Sequence, residues 1–285
     1  MKTLIAGSGG QLGRALVAAA PKDVTVVAPP EVEFDITDAT RVSRIVEASG
    51  CDILINAAAY TAVDKSESDE AAARRINVDA VRTLAAAASR AGMRFVHVST
   101  DFIFDGTAST PYPPEAEPNP LGVYGRTKLD GERAALEVCP DTLIVRTAWV
   151  YAAEGGNFVH TMLRLMAERD ELRVVADQIG TPTHAATLAR TIWTLLAEHA
   201  AGVYHCTDAG VASWYDFAVA IRDEARALDL LDHNVVVLPI RTVDYSTPAR
   251  RPPYSVLDKT KTWDLTGPAR HWREELRDCM KAMVP

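Results

Sequence analysis

The first twenty residues constrain this chain most. Lys2-Thr-Leu-Ile-Ala6 is a short, largely apolar run of strand length. Gly7-Ser-Gly-Gly10-Gln-Leu-Gly13 follows as a glycine-rich turn, and Arg14-Ala-Leu-Val-Ala-Ala-Ala20 reads as the body of a helix. Strand, glycine turn and helix in that order form the setting in which glycine spacing carries meaning. Gly7 is expected to make the tight turn, Gly10 to let the backbone approach a pyrophosphate, and Gly13 to let helix and strand pack closely. The helix start, where Gln11 stands, then offers free N–H groups to phosphates. The spacing is G-x-x-G-x-x-G with Gly9 in addition; a glycine turn without a ligand would share that composition.

The alternation continues. Apolar runs at Val24–Ala28, Asp52–Asn56, Arg94–Ser99 and Leu143–Thr147 read as strands. Helical stretches fall at Ala39–Ser49, with Asp38 as its cap, at Ser66–Arg90, and around Tyr124 and Lys128. Strands and helices alternating at this length imply a parallel, doubly wound α/β sheet. The second half is less regular. Trp149-Val-Tyr151 and Gly155-Gly-Asn157-Phe158 read as loop, helices span 161–169 and 185–199, and a strand spans 172–176. Ser213 and Asp216 form a capping box for a helix to Leu228. A strand at 235–238, an arginine- and proline-rich loop at 241–253 and a helix at 272–283 complete it. The expected organisation is a Rossmann-type dinucleotide-binding domain from residues 1–150 plus 177–205, with a smaller α+β substrate-binding lobe from 151–176 and 206–285.

Candidate chemistry gathers at one sheet edge. The fourth strand delivers Ser99-Thr100-Asp101, and Tyr124 and Lys128 stand four apart, on one helix face. An ammonium beside a phenol favours its ionised form, and such a phenol exchanges a proton with a carbonyl or alcohol oxygen. Thr100 would bind the same oxygen. Taken alone, Tyr-x-x-x-Lys describes any such pair on a helix surface. The second strand ends Ala28-Pro29-Pro30 with no carboxylate for a ribose 2′-hydroxyl, and Arg14 could pair with a 2′-phosphate. That favours NADPH, with NADH possible. Asp35 could accept from the adenine amino group, and Arg250-Arg251 could grip diphosphate oxygens bidentately. The net charge of -8 argues against a nucleic-acid surface. The four cysteines form no C-x-x-C pair, so reduced thiols in a cytoplasmic protein are expected. No signal peptide or membrane-length apolar run is evident.

With these pieces placed, the chain resembles the extended short-chain dehydrogenase/reductases, and within them the branch that reduces dTDP-linked 4-keto-6-deoxysugars. The likeness runs nearly end to end, through Gly9-Gly-Gln-Leu-Gly13, Asp35-Ile-Thr-Asp38, Asn56-Ala-Ala-Ala-Tyr-Thr-Ala-Val-Asp64, Ser99-Thr-Asp-Phe-Ile-Phe-Asp-Gly106, Tyr124-Gly-Arg-Thr-Lys128, Arg146-Thr-Ala-Trp-Val-Tyr151 and Thr247-Pro-Ala-Arg-Arg-Pro252. The resemblance implies reduction of the C4 keto group of dTDP-4-dehydro-L-rhamnose, for polysaccharide synthesis. It implies Tyr124 as catalytic acid, Lys128 as its tuner and ribose anchor, and Thr100 on the reacting oxygen. Asp101, Trp149, Asn157 and Arg250 would meet the substrate. Leu12, Gly13, Arg14, Asp35, Ile36, Ala59, Tyr60, Thr61 and Val98 fall where the cofactor lies. Some relatives hold Mg²⁺ between subunits with acidic residues, where Ala15 and Ala186 stand here. No metal is therefore expected, and a monomer or homodimer is. Related nucleotide-sugar reductases or epimerases, and non-catalytic subunits of the same fold, share much of this pattern.

Overall fold

Fully apolar runs have no solvent face to offer, so they stack side by side in the interior. In a computed structural model describing residues 1–284, five of them and a later strand form one parallel sheet. The first half reads β1 (Lys2–Ala6), α1 (Gln11–Ala18), β2 (Thr25–Val27), α2 (Ala39–Ser49), β3 (Ile53–Asn56), α3 (Val63–Ser66), α4 (Glu70–Arg74), α5 (Ala80–Arg90), β4 (Arg94–Thr100), α6 (Val123–Val138) and β5 (Leu143–Thr147). The second reads β6 (Val150–Tyr151), α7 (Phe158–Glu168), β7 (Glu171–Val175), β8 (Ile179–Gly180), β9 (Thr183–His184), α8 (Ala185–Ala197), β10 (Gly202–His205), β11 (Ala212–Ser213), α9 (Trp214–Ala227), β12 (Val236–Ile240), α10 (Thr260–Thr266) and α11 (Trp272–Lys281).

The large sheet runs β2-β1-β3-β4-β5-β10, every pairing parallel. The chain leaves β1 toward β2 and returns on its other side as β3. That reversal opens a crevice at the carboxyl ends of β1 and β3, where α/β sheets take ligands. Leu4, Ile5, Ile53, Leu54 and Ile55 are at most 1% exposed; each such side chain contributes roughly 1.5–3 kcal/mol through burial. One face packs on α2 and α5 through Val42, Val46, Leu84 and Ala88. The other packs on α1 and α8 through Leu12, Leu16, Leu188 and Trp193. A separate core unites α7, α9 and α11 with β7 and β12 around Tyr151, Met162, Phe217, Trp272 and Leu276. Among the described residues no helix is long and apolar enough to cross a membrane.

Three local expectations change. The single helix over 66–90 is instead α4, a π-helical turn at Arg75–Asp79, and α5. The wide turn re-aims Asn77, whose side chain accepts from the Tyr60 N–H at 2.9 Å and donates to the Tyr60 carbonyl at 3.2 Å and to Thr127. Val150–Tyr151 is a short strand paired with β9 rather than loop. Helix α7 begins at Phe158, three residues early, because the Asn157 side chain accepts from the His160 N–H and caps it. The caps read at Asp38 and at Ser213–Asp216 are formed.

Candidate active site

The glycine turn is built around close approaches. Gly7 has φ +77°, and a Cβ there would lie 2.6 Å from the Ala58 nitrogen; one at Gly13 would lie 2.1 Å from the Gly7 carbonyl oxygen. Only glycine serves at either place, and the protein's own packing accounts for both. Gly9 is different, since a Cβ there would touch nothing within 4 Å. Gly10 starts α1 without any side-chain cap, and the first turn carries no acidic residue. The free N–H groups at Gln11 and Leu12 thus end in an uncrowded cradle suited to phosphate oxygens. The rim is held by Ser8, whose hydroxyl donates to the Pro29 carbonyl at 2.7 Å. Beyond it, Glu31 and Glu33 are exposed. Arg14 donates to the Gly9 carbonyl and pairs with Glu154 at 3.3 Å. Asp35 accepts from the Thr37 N–H and hydroxyl, both at 2.8 Å, which holds its carboxyl below the usual range. Ile36 is buried beside it, and Ala59, Tyr60 and Thr61 follow β3 at the crevice.

The second group stands across the crevice. Thr100 ends β4; its hydroxyl accepts from the Phe102 N–H at 3.2 Å and donates to Asp101 Oδ1 at 3.1 Å. Helix α6 presses onto that turn because Gly125 allows it: a Cβ there would lie 2.2 Å from the Phe102 carbonyl oxygen. The approach sets Tyr124 edge-on to Phe102, ring centroids 5.5 Å apart. Lys128 is 2% exposed, and its ammonium donates to the Val98 carbonyl at 2.6 Å. The start of α6 is held by Glu67, whose carboxylate accepts from the Val123 N–H at 2.8 Å. The proline-rich loop before α6 is pinned by Arg146, which donates to the Pro114 carbonyl and pairs with Glu132 inside the protein at 2.8 Å.

The electrostatics depart from the expected tuning. Burial pushes the Tyr124 phenol up to about 12; the Thr100 side chain opposes this and the Asp101 charge adds to it. Burial pushes Lys128 down to about 8, against the pull of Glu132. Desolvation dominates the phenol, and the ammonium donates to a strand carbonyl rather than to it. Asp101, 1% exposed, is pushed up to about 6 by burial, with Ser255 and Thr100 holding it back. His97, beneath Lys128, is held well below its ordinary value by burial and by that charge, and stays neutral.

The second lobe closes the site unevenly. Of the two arginines read as a diphosphate grip, Arg251 pairs with Asp64 at 2.8 Å. Arg250 is exposed and makes no ion pair among the described residues. Asn157 is committed as well: besides capping α7, its amide donates to Gln11 Oε1 at 2.9 Å and ties the lobe to the glycine turn. Trp149 adopts φ +47°, a conformation costing a non-glycine residue on the order of 1–3 kcal/mol. Sequence reading missed Glu67, Asp64, Asn77 and Ser255, which act through partners far along the chain. No cluster of three or more His, Cys, Asp or Glu suited to a metal occurs among the described residues.

A parallel sheet with this switch point, a glycine turn after its first strand, and a Thr at a strand's carboxyl end beside a helix that carries Tyr and Lys four apart are the features of a reductase of the short-chain dehydrogenase/reductase class. The model for the RmlD substrate binding domain matches residues 1–284. A dTDP-4-dehydrorhamnose reductase from Burkholderia thailandensis is 43% identical over 100% of this chain and 99% of its own length. The enzyme of that name from Clostridium acetobutylicum, as a crystal structure, superposes with a TM-score of 0.92 at 42% identity, covering 99% of each chain. One from Bacillus anthracis, solved in complex with NADP, superposes at 0.93 with 34% identity and the same coverage. The chain belongs to the dTDP-4-dehydrorhamnose reductase family.

Proposed function

We propose that this chain uses a reduced nicotinamide cofactor, NADPH or NADH, to convert the C4 keto group of dTDP-4-dehydro-L-rhamnose to the alcohol of dTDP-L-rhamnose. The Thr100 side chain acting on the Tyr124 hydroxyl, with Lys128 one helical turn further on, at the sheet edge that carries the glycine cradle, supports this reading. The chain's residues suit the cofactor. Gly9, Gly10 and the start of α1 would take the pyrophosphate, and Gly7 and Gly13 shape the turn. Asp35 and Ile36 would meet the adenosine end, and Ala59, Tyr60, Thr61 and Val98 would line its course. Arg14 would turn from Glu154 to a 2′-phosphate, which favours NADPH. When bound, the cofactor supplies the hydride.

The protein supplies everything else. Tyr124, held protonated across the neutral range, donates its proton to the oxygen that becomes the C4 hydroxyl. The Thr100 hydroxyl, turning from Asp101, and the remaining protons of the Lys128 ammonium would stabilise charge growing on that oxygen. Asp101 and Trp149 would border the sugar and Arg250 the diphosphate. Asn157 contributes by fixing the lobe on Gln11 rather than by touching substrate. Residues 1–150 with 177–205 would then serve the cofactor and the remainder the sugar nucleotide. We place the reaction in the cytoplasm, supported by four buried free cysteines, with the protein a monomer or homodimer.

The test is to mix the purified chain with the 4-keto-sugar nucleotide and NADPH or NADH, follow cofactor absorbance and identify the product. Cofactor consumption only with keto-sugar, yielding dTDP-L-rhamnose, is expected. A different C4 epimer, or no consumption, would overturn the reading.

A further inference from the structure

Trp149 lies two residues beyond Thr147, the register partner of Thr100, so it leaves the sheet at the edge that carries the site. Its ring is clamped. On one side lies Gly180, where a Cβ would come within 2.7 Å of the indole. Against it Trp214 stacks almost flat, centroids 3.6 Å apart and planes 9° from parallel. Phe158 in turn rests on Trp214 at 4.7 Å. Trp214 opens α9, and the Ser213–Asp216 capping box fixes that helix start: Asp216 accepts from the Ser213 N–H at 2.9 Å, and the Ser213 hydroxyl accepts from the Asp216 N–H at 3.0 Å. The platform beneath is tied to the catalytic turn as well. The Ser255 N–H donates to the Ile179 carbonyl at 2.8 Å, and the Ser255 side chain acts on Asp101.

Several features here are not needed for packing alone. Both indoles are only half-buried. Neither indole N–H donates to a protein acceptor among the described residues, although Trp193 and Trp272 donate theirs to backbone carbonyls at 3.0 and 3.2 Å. A left-handed backbone at a bulky residue persists where the surroundings over-determine it, and such strain collects at ligand clamps. The surroundings here are a glycine with no room for a Cβ and a stacked second indole.

We propose that Trp214 is a positioning residue that determines sugar specificity: by stacking on Trp149 it holds that ring as the wall of the sugar pocket. The proposal rests on the keto-sugar reading of the site. It places the selectivity of that site in α9, which contributes none of Thr100, Tyr124 or Lys128.

Two measurements test it. Two indoles in flat contact produce an exciton couplet in far-ultraviolet circular dichroism. The couplet is expected in the wild-type protein, to vanish equally in W149F and W214F, and to change amplitude when dTDP-L-rhamnose is added. In steady-state assays W214A is expected to raise KM for the keto-sugar nucleotide about tenfold or more, with KM for NADPH unchanged and kcat lowered far less. W214F, which keeps a flat ring, should recover most of the loss. Gly180→Ala, whose Cβ would crowd the Trp149 ring, should reproduce the KM effect. No couplet, or a W214A enzyme whose two KM values rise together, would overturn the proposal. Failure of the couplet sinks the stack while leaving the activity standing. Absence of turnover in the wild-type protein sinks the activity while the couplet still reads the stack.

Discussion

Two regions of this molecule bury the same inventory. At the carboxyl edge of the sheet, Tyr124 and Asp101 lie with the cation Lys128. At the junction of β9, α8 and α11, Tyr151 and Asp208 lie with His184 and Glu275, the last paired to Arg190 and Arg270 at 3.2 and 3.3 Å. Burial raises all four proton-bearing groups: Tyr124 to about 12, Asp101 to about 6, Asp208 to about 7, and Tyr151 further still. The difference is access. Tyr124 is only half-buried, at the start of α6. Tyr151 is 0% exposed, stacked on His184 at 5.5 Å and leaning on Phe217 at 5.4 Å. A shifted pKa therefore marks burial, and a path to ligand decides which buried cluster can do chemistry.

The comparison breaks most sharply on the two phenols. Tyr124→Phe is expected to lower turnover by on the order of 10²–10⁴ with cofactor binding retained, because the proton donor is lost. Tyr151→Phe removes a buried hydroxyl that has no hydrogen-bond partner. It should leave turnover within about twofold and stability unchanged or raised by about 1 kcal/mol. Steady-state kinetics and thermal melts of both variants check the contrast, and equal losses would erase it.

The carboxyls come next. Asp208 has its folded pKa above the unfolded value of 3.8, so the folded state binds the extra proton between pH 4 and 7. Stability contributed by that proton is present below pH 4 and is lost as pH rises through 7. Asp208→Asn should thus gain on the order of 2–3 kcal/mol at pH 8, and nothing below pH 4. Asp101→Asn should show the same sign with its window ending near pH 6, a smaller gain, and a loss of activity that Asp208→Asn does not share. Denaturant melts across pH read both.

The cations separate by titration. Lys128, pushed down to about 8, holds its charge below that pH and gives it up above. Since that charge assists the developing oxyanion, kcat/KM should fall as pH rises through 8. Lys128→Arg should move this alkaline limb beyond reach, at a cost in rate from the changed geometry. Arg190 and Arg270, exposed at the rim of the other cluster, should leave the profile untouched. A limb unmoved in the Lys128 variant would assign it elsewhere.

How far the sequence foretold this differs between the two regions for a physical reason. The glycine turn is one contiguous stretch, and the Asp38 cap, the Ser213–Asp216 box and the shared face of Tyr124 and Lys128 have partners within about one helical turn, so spacing reveals them. Asp64 with Arg251, Asn157 with Gln11, and Trp149 with Trp214 join residues 187, 146 and 65 positions apart. Nothing in a local pattern distinguishes Arg251, which is paired, from Arg250, which is open. The depressed phenol pKa expected from an i,i+4 ammonium fails likewise, because burial of the phenol by distant parts of the chain raises it and the ammonium donates to the Val98 carbonyl of β4, 30 residues earlier. The π-helical turn at Arg75–Asp79 serves Asn77's bonds to a distant loop and has no spacing signature of its own.

The smallest expected effect sharpens the comparison furthest, because each region starts a helix in the same way. Glu67 accepts the Val123 N–H at the head of α6, 56 residues on; Asp208 accepts the His184 N–H at the head of α8 at 2.9 Å, 24 residues back. Both place a carboxylate on a helix N-terminus, where it is favoured by the dipole. Glu67 is exposed and Asp208 buried. Glu67→Gln keeps an acceptor and removes an exposed charge, so it should cost about 0.3–1 kcal/mol of stability and shrink with added salt. Since Tyr124 sits one residue past the bonded N–H, turnover should drop within about fivefold, with its pH profile in place. The buried counterpart should respond to pH and ignore salt. A Glu67→Gln effect that is large or salt-independent would mean that the head of α6 is as sealed as that of α8, and access would no longer separate the two regions.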